Sequence, residues 1–184
     1  MIWWGYFCIR AEKGYENMAI IKTAILQTHV YEEKSRNITQ AAEILVRPEL
    51  QGIDLAVLPE MFCCPYENKY FPEYAEAEGG DTWEKCSRLA AERGIYLVAG
   101  SMPERDAAGH IYNTSYVFDR NGHQIGKHRK MHLFDIDVKG GQYFKESDTL
   151  TPGDQVTVFD TEFGKMGVCI CYDFRFPELA RLMV

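Results

Sequence analysis

Short apolar runs alternate with amphipathic ones along most of this chain, and that alternation narrows the fold more than any other feature. Ala19 to Gln27 is a β-prone run. Ile38, Ala41, Ala42 and Leu45 then fall at i, i+3, i+4 and i+7, one face of a helix that Pro48 and Gly52 close. Ile53 to Leu58 is a second short strand, ended by Pro59-Glu60. Asp81 with Glu84 three residues on reads as a capping box, Trp83, Cys86 and Ala90 give the next helix a packing stripe, and Gly94 stops it before the strand Ile95 to Ala99. After Pro103 the rhythm changes to hairpins. Ile111 to Phe118 and His123 to Lys127 flank the turn-rich Asp119-Arg120-Asn121-Gly122, and Gln155 to Thr161 and Lys165 to Ile170 repeat the pattern around Gly164. β-α-β-α-β followed by hairpins predicts an α/β domain with a mixed sheet covered by helices on at least one face.

No linker or internal repeat divides the chain, so one domain is expected from Met18 to Val184. Residues 1–17 read as an extension ahead of it: Met1 to Ile9 is aromatic-rich and lacks the charged start, long aliphatic middle and small-residue cleavage site of a signal peptide. At 184 residues, 46% hydrophobic and 26% charged, the chain is long enough for one real core. Its net charge of -7 argues against nucleic acid or an anionic membrane surface as the main partner. The six cysteines contain no C-x-x-C pair, which speaks against a zinc ribbon or a thioredoxin motif and for a reducing, cytoplasmic setting. No run approaches the ~18 apolar residues that would span a membrane.

Three places carry candidate chemistry. Met166 to Ile170 is a strand that stops at Cys171, and Pro177 opens a helix, so Cys171 sits where a strand turns towards a helix. A thiol there can project from a sheet edge, with the turn's N–H groups and a helix N-terminus favouring a thiolate and a developing oxyanion. Equally, Cys169 and Cys171 can be two small buried hydrophobes in a core strand. Glu60 ends a buried strand, where partial desolvation would raise its pKa towards that of a general base; it also reads as a carboxylate wetted by a loop. Lys130 lies in Gly126-Lys127-His128-Arg129-Lys130-Met131-His132-Leu133-Phe134-Asp135, a basic run that is either solvated or, given Met131, Leu133 and Phe134, buried in its second half. His128 and His132 at i, i+4 make poor metal ligands, because Arg129 and Lys130 lie between them and no Glu follows His128 as a zincin requires. A serine hydrolase elbow is missing, and a Cys-His-Glu glutaminase arrangement would need a histidine after Cys171, where the sequence has none.

Leu58-Pro59-Glu60-Met61-Phe62, the segment His128 to Asp135, and Gly167 to Arg181 together resemble, in order and separation, the three signature segments of the nitrilase superfamily of carbon-nitrogen hydrolases. Each segment is weakly specific alone; the ordered trio is highly specific, and the resemblance runs from about Ala19 to Val184. It implies an α-β-β-α sandwich with mixed sheets, a Glu-Lys-Cys triad of Glu60 as general base, Lys130 as catalytic lysine and Cys171 as nucleophile, and no metal or organic cofactor. Cys169 falls where many relatives have glycine. Phe144-Lys145-Glu146 matches the segment holding the family's second glutamate, which makes Glu146 the residue positioning the lysine.

The mechanism so implied has Glu60 deprotonate Cys171, with Lys130 also favouring the thiolate; sulfur attacks an amide carbon, and Lys130 with the backbone N–H of Tyr172 receives the oxyanion. Arg175, close to Asp173, is expected to pair with it and brace the turn. The run Phe134 to Val138, with Phe144, Glu146, Ser147, Leu150, Pro152 and Gly153, resembles most the omega-amidase branch, which hydrolyses the terminal amide of dicarboxylate monoamides; N-carbamoyl amino-acid hydrolysis is the nearer competitor. The aromatic loop Phe62 to Tyr74 either walls the substrate pocket, with Phe62 and Tyr66 as binding residues, or covers a core or dimer surface. The resemblance also implies that the chain ends early in the helix after the nucleophile and lacks strands of the second sheet. That leaves open an inactive fragment serving as an interaction module, and a homo-oligomer when full length.

Overall fold

The computed structural model describes residues 7–9 and 20–184. In chain order the elements are β1 (Phe7–Ile9), β2 (Thr23–Ile25), α1 (Lys34–Leu45), β3 (Leu55–Val57), α2 (Phe71–Tyr74), α3 (Asp81–Arg93), β4 (Tyr96–Val98), β5 (Met102–Arg105), β6 (Ile111–Phe118), β7 (Gln124–Arg129), β8 (Asp135–Asp137), β9 (Tyr143–Lys145), β10 (Thr157–Thr161), β11 (Gly164–Val168) and α4 (Pro177–Met183), with 3-10 turns at Pro48–Leu50, at Glu146–Asp148 and, ahead of α4, at Cys171–Arg175.

Two sheets stack face to face. The larger runs β2-β3-β4-β6-β5, with β7 also paired to β6; β2, β3 and β4 are parallel and the rest antiparallel. The smaller is the antiparallel β10-β11 hairpin with β1 on its edge. Strand alternation sends residues to two cores. Ala56, Leu97, Tyr116 and Phe118 face α1 and α3, meeting Ile38, Ala41, Leu45, Cys86, Leu89 and Ala90. Leu55, Val57, Tyr96, Val98 and Val117 point the other way and meet Phe159, Met166 and Val168 of the second sheet. Both faces of β3 and β4 are therefore buried, which is why these strands read as unbroken apolar runs. On the far side of β11 lies α4: a Cβ on Gly167 would sit 2.7 Å from the Met183 sulfur, so a glycine there lets the helix lie flat on the sheet. Helices, sheet, sheet and helix form four layers in the order the resemblance implies.

Two local readings change. Asp81 is the first residue of α3 rather than its cap; Gly80 holds the cap position. The free amide of Thr82 is instead met by Glu76, which accepts from Thr82 N at 2.8 Å and from its hydroxyl at 2.7 Å, while Asp81 pairs with Lys85 at 2.7 Å. Pro103 does not merely end a segment: it sits inside β5, at the sheet edge, where a missing N–H costs no ladder bond. The expectation that residues 1–17 lie outside the fold concerns, apart from Phe7–Ile9, residues outside those described; the backbone of Phe7–Ile9 pairs with Met166–Val168.

Candidate active site

The parallel strands deliver the site at their carboxyl ends. Past β3 the chain runs through Pro59-Glu60 and reverses at Met61, a non-glycine residue at φ 49°. Residues after β4 hold that reversal: Ser101 Oγ accepts from Met61 N at 3.0 Å, and Ser101 N donates to Pro59 O at 3.2 Å. Gly100 makes the approach possible, at φ 53° with a Cβ position only 2.0 Å from Pro59 O. Antiparallel β6 starts at the same end, so Asn113 lies beside Glu60 and donates from Nδ2 to Oε1 at 2.8 Å. β7 returns to that end too and places Lys130, whose own amide donates to Asn113 O at 2.8 Å and whose carbonyl accepts from Gly153 N at 2.8 Å.

Lys130 is fully buried between two carboxylates, with Nζ 2.8 Å from Glu60 Oε1 and 2.9 Å from Glu146 Oε2. Glu146, equally buried, also accepts from Tyr66 Oη at 2.6 Å and from the amide of Phe134 at 2.5 Å. Burial works against the Lys130 ammonium, but the charges and hydrogen bonds of Glu60 and Glu146 outweigh it and its pKa rises. For Glu60 burial wins, reinforced by the Glu146 charge and opposed by Lys130, so its pKa is also raised.

Cys171 opens the 3-10 turn at φ 45°, half-buried, as a sharp bend projecting from the end of β11. Its thiol and the Glu60 carboxylate are near enough to shift one another's pKa. Glu60 Oε2 is buried and meets no donor in hydrogen-bond geometry among the described residues. Burial, then the Glu60 charge, push the Cys171 thiol well up, and Lys130 offsets only part of this. Tyr172 is the second residue of the turn, where amides have no intrahelical acceptor, and its ring sits edge-on to Phe134 and Phe176. Of the other described cysteines, Cys63, Cys64 and Cys86 are buried, with burial pushing the Cys63 thiol up to about 12.

The structure thus gathers Glu60, Lys130, Glu146 and Cys171. Phe62 it does not: only 1% exposed, its ring belongs to the helix-side core, because the turn at Met61 sends it inward. Tyr66 reaches the site through its hydroxyl on Glu146, its ring edge-on to Phe71 and tilted against Phe144. Arg175 is exposed and forms no pair with Asp173; that carboxylate is buried and taken by His128 Nε2 at 3.1 Å and His132 Nδ1 at 2.8 Å. His128 lies in a strand and His132 in the loop after it, so the i, i+4 spacing is not helical, and no cluster of three or more His, Cys, Asp or Glu among the described residues could hold a metal. Asn113 was missed from sequence and Asp173 was given the wrong partner: each is a polar residue at an interior strand or turn position, a pattern that marks many structural contacts as well.

Four α-β-β-α layers with a glutamate, a lysine and a cysteine converging at one sheet end define a carbon-nitrogen hydrolase. The chain belongs to that family, whose Carbon-nitrogen hydrolase model matches residues 22–184. It is 47% identical to the omega-amidase NIT2 of Bos taurus and 48% identical to that of Xenopus tropicalis, each over 90% of this chain and 59% of the relative. The crystal structure of Saccharomyces cerevisiae Nit3, a member of branch 10 of the nitrilase superfamily, superposes with a TM-score of 0.79 at 41% identity, covering 89% of this chain and 59% of that one. The chain therefore spans about three fifths of the length of the relatives it matches.

Proposed function

We propose that this chain carries the catalytic centre of a cysteine amidase that hydrolyses the terminal amide of a small dicarboxylate monoamide to the acid and ammonia. The observation carrying the reading is the buried Lys130 ammonium held between Glu60 and Glu146, with the Cys171 thiol near enough for the Glu60 and Lys130 charges to act on it. Similarity to omega-amidases at 47–48% identity supports the substrate class.

In this mechanism the raised pKa of Glu60 makes it a competent base for the thiol, and proton transfer takes place as sulfur bonds to the amide carbon. The carbonyl electron pair moves to oxygen, where Lys130 and the Tyr172 amide receive it; a donor of this kind lowers the barrier by about 3 kcal/mol. Glu60 returns its proton to nitrogen, ammonia leaves, and a thioester on Cys171 remains. Glu60 then takes a proton from water, which cleaves the thioester and frees the acid and the thiol. Glu146, Tyr66 and Asn113 act by holding Lys130 and Glu60 in place. Cys63, Cys64, Cys86 and Cys171 are free thiols, which supports a reducing, cytoplasmic setting, and among the described residues no helix is long and apolar enough to cross a membrane.

Ammonia release from a panel of omega-amides and N-carbamoyl amino acids, with Cys171→Ala as control, tests the proposal. Turnover of omega-amides that vanishes in the variant is expected. Preference for N-carbamoyl substrates would overturn the substrate class, and undiminished activity in Cys171→Ala the mechanism.

A further inference from the structure

We propose that Phe134 is a positioning residue that sets the distance between the two oxyanion donors, the Lys130 ammonium and the Tyr172 amide. The role rests on the mechanism proposed above, in which both donors meet one oxygen although they come from different segments of the chain. Phe134 touches what holds each of them. On the lysine side, the β8–β9 hairpin sets Phe134 opposite Glu146, continuing the pairing of Asp135 with Lys145. The two residues are joined twice: Glu146 N donates to Phe134 O at 3.1 Å, and Phe134 N donates to Glu146 Oε2 at 2.5 Å. That same oxygen lies 2.9 Å from Lys130 Nζ. The Ser147 amide and hydroxyl donate to the Asp135 carboxylate at 3.1 and 2.7 Å, so the Phe134–Glu146 pair sits on a tied hairpin base.

On the nucleophile side the contact is made by the ring. Phe134 lies edge-on to Tyr172, with centroids 5.4 Å apart and planes at 77°. Tyr172 is edge-on in turn to Phe176, also 5.4 Å away, and Phe176 carries the flat-stacked His132 ring at 3.6 Å. Residues 132 and 134 of the lysine segment thus meet residues 176 and 172 of the nucleophile turn, and the Tyr172 ring is held between two neighbours. Edge-to-face pairs have a preferred distance and angle, and the Tyr172 side chain leaves the backbone at the Cα bonded to the donor nitrogen. Seating the ring therefore seats the amide. Loss of the Phe134 ring should leave Lys130 and Glu146 in place, because their link to Phe134 runs through its backbone, while the Tyr172 amide loses one of its supports. A donor shifted by a fraction of an ångström should cost on the order of tenfold in rate, less than the roughly 100-fold or more of a donor removed.

Two reactions of Cys171 separate this role from general damage, and neither needs an omega-amide. Acylation by p-nitrophenyl acetate builds an oxyanion: sulfur bonds to the ester carbon, the thiol proton passes to Glu60, and the carbonyl pair moves to oxygen and returns as nitrophenolate leaves, giving an acetyl thioester. Exchange with a pyridyl disulfide builds none: one S–S bond forms as another breaks, and the thiol proton ends on the departing pyridinethione. Peptide mass spectrometry follows both at Cys171. Phe134→Leu should slow acylation on the order of tenfold and exchange by less than about twofold, and Phe134→Tyr, which keeps the ring, should acylate within about threefold of the native rate. Tyr172→Leu keeps the amide and should match Phe134→Leu, with the double variant losing no more than about twofold beyond either. Where urea unfolding shows that Phe134→Leu does not fold, Phe134→Met is read in its place. Undiminished acylation in Phe134→Leu, acylation and exchange that slow together, or losses that multiply would overturn the role, as would a native Cys171 that cannot be acylated. A native protein that shows the expected pattern but releases no ammonia from omega-amides counts against the substrate class and leaves the role of Phe134 standing.

Discussion

Replacing Lys130 by methionine keeps the length of the side chain and removes the cation, leaving Glu60 and Glu146 buried against each other. The cost has a ceiling, because the pair can take up a proton instead of remaining doubly charged. For a carboxyl that ordinarily titrates near ~4.3, protonation at pH 7 costs about 3.7 kcal/mol, inside the range of about 3 to 5 kcal/mol for breaking a buried ion pair by removing one partner. The deficit should depend on pH with a definite sign. In the variant the folded pair binds a proton more tightly than the unfolded chain does. Its folded state is therefore favoured below the unfolded carboxyl value, and stability falls as pH rises towards the raised folded value. Relative to the native protein the deficit should shrink by about 1.4 kcal/mol for each pH unit of acidification per proton bound, or by nearly 3 kcal/mol between pH 7 and pH 5. Urea unfolding of both proteins at several pH values measures it. A deficit under about 1 kcal/mol at pH 7, or one that does not change with pH, would refute the reading of Lys130 as the counter-ion of two buried carboxylates.

Two further outcomes follow from the same geometry. Glu60→Gln removes a charge that raises the Cys171 thiol, so alkylation of Cys171 by iodoacetamide at neutral pH should accelerate on the order of tenfold while amide turnover is lost; peptide mass spectrometry can use buried Cys63, Cys64 and Cys86 as slow references, and slower labelling would show that Glu60 does not govern the thiol. Gly100→Ala places a methyl 2.0 Å from Pro59 O at φ 53°, and should cost more than about 1 kcal/mol of unfolding free energy together with activity, since relief of the clash moves Glu60; a midpoint in urea equal to that of the native protein would count against it.

The α/β alternation was legible because buried parallel strands and amphipathic helices leave strong periodic signals: α1 and β3 fall where spacing places them, and the hairpin turns at Asp119 and Gly164 carry their own chemistry. The cap of α3 was not, since Glu76 reaches it from outside the helix, and neither was the inward turn of Phe62, which depends on a positive φ at Met61. At the site, Glu60 and Cys171 stand at strand ends, a position sequence can suggest. The state of the Cys171 sulfur could not be read that way, because burial sets it first and Glu60, over a hundred residues earlier in the chain, adds to it.

The basic run from Lys127 to His132 shows most directly why one-dimensional reading falters. As a string it looks like a single solvated patch, yet β7 sends successive side chains to opposite faces. Lys127 and Arg129 leave on the helix side, where both reach buried Glu104, at 2.6 and 2.7 Å, and Arg129 also lies over the Tyr112 ring. His128 and Lys130 leave on the other side, to Asp173 and to the Glu60–Glu146 pair. Two carboxylate sites, distant in sequence, divide one cationic stretch by parity. A one-residue slip of β7 would exchange every partner at once, so the ion pairs on the structural face hold the register that the catalytic face requires.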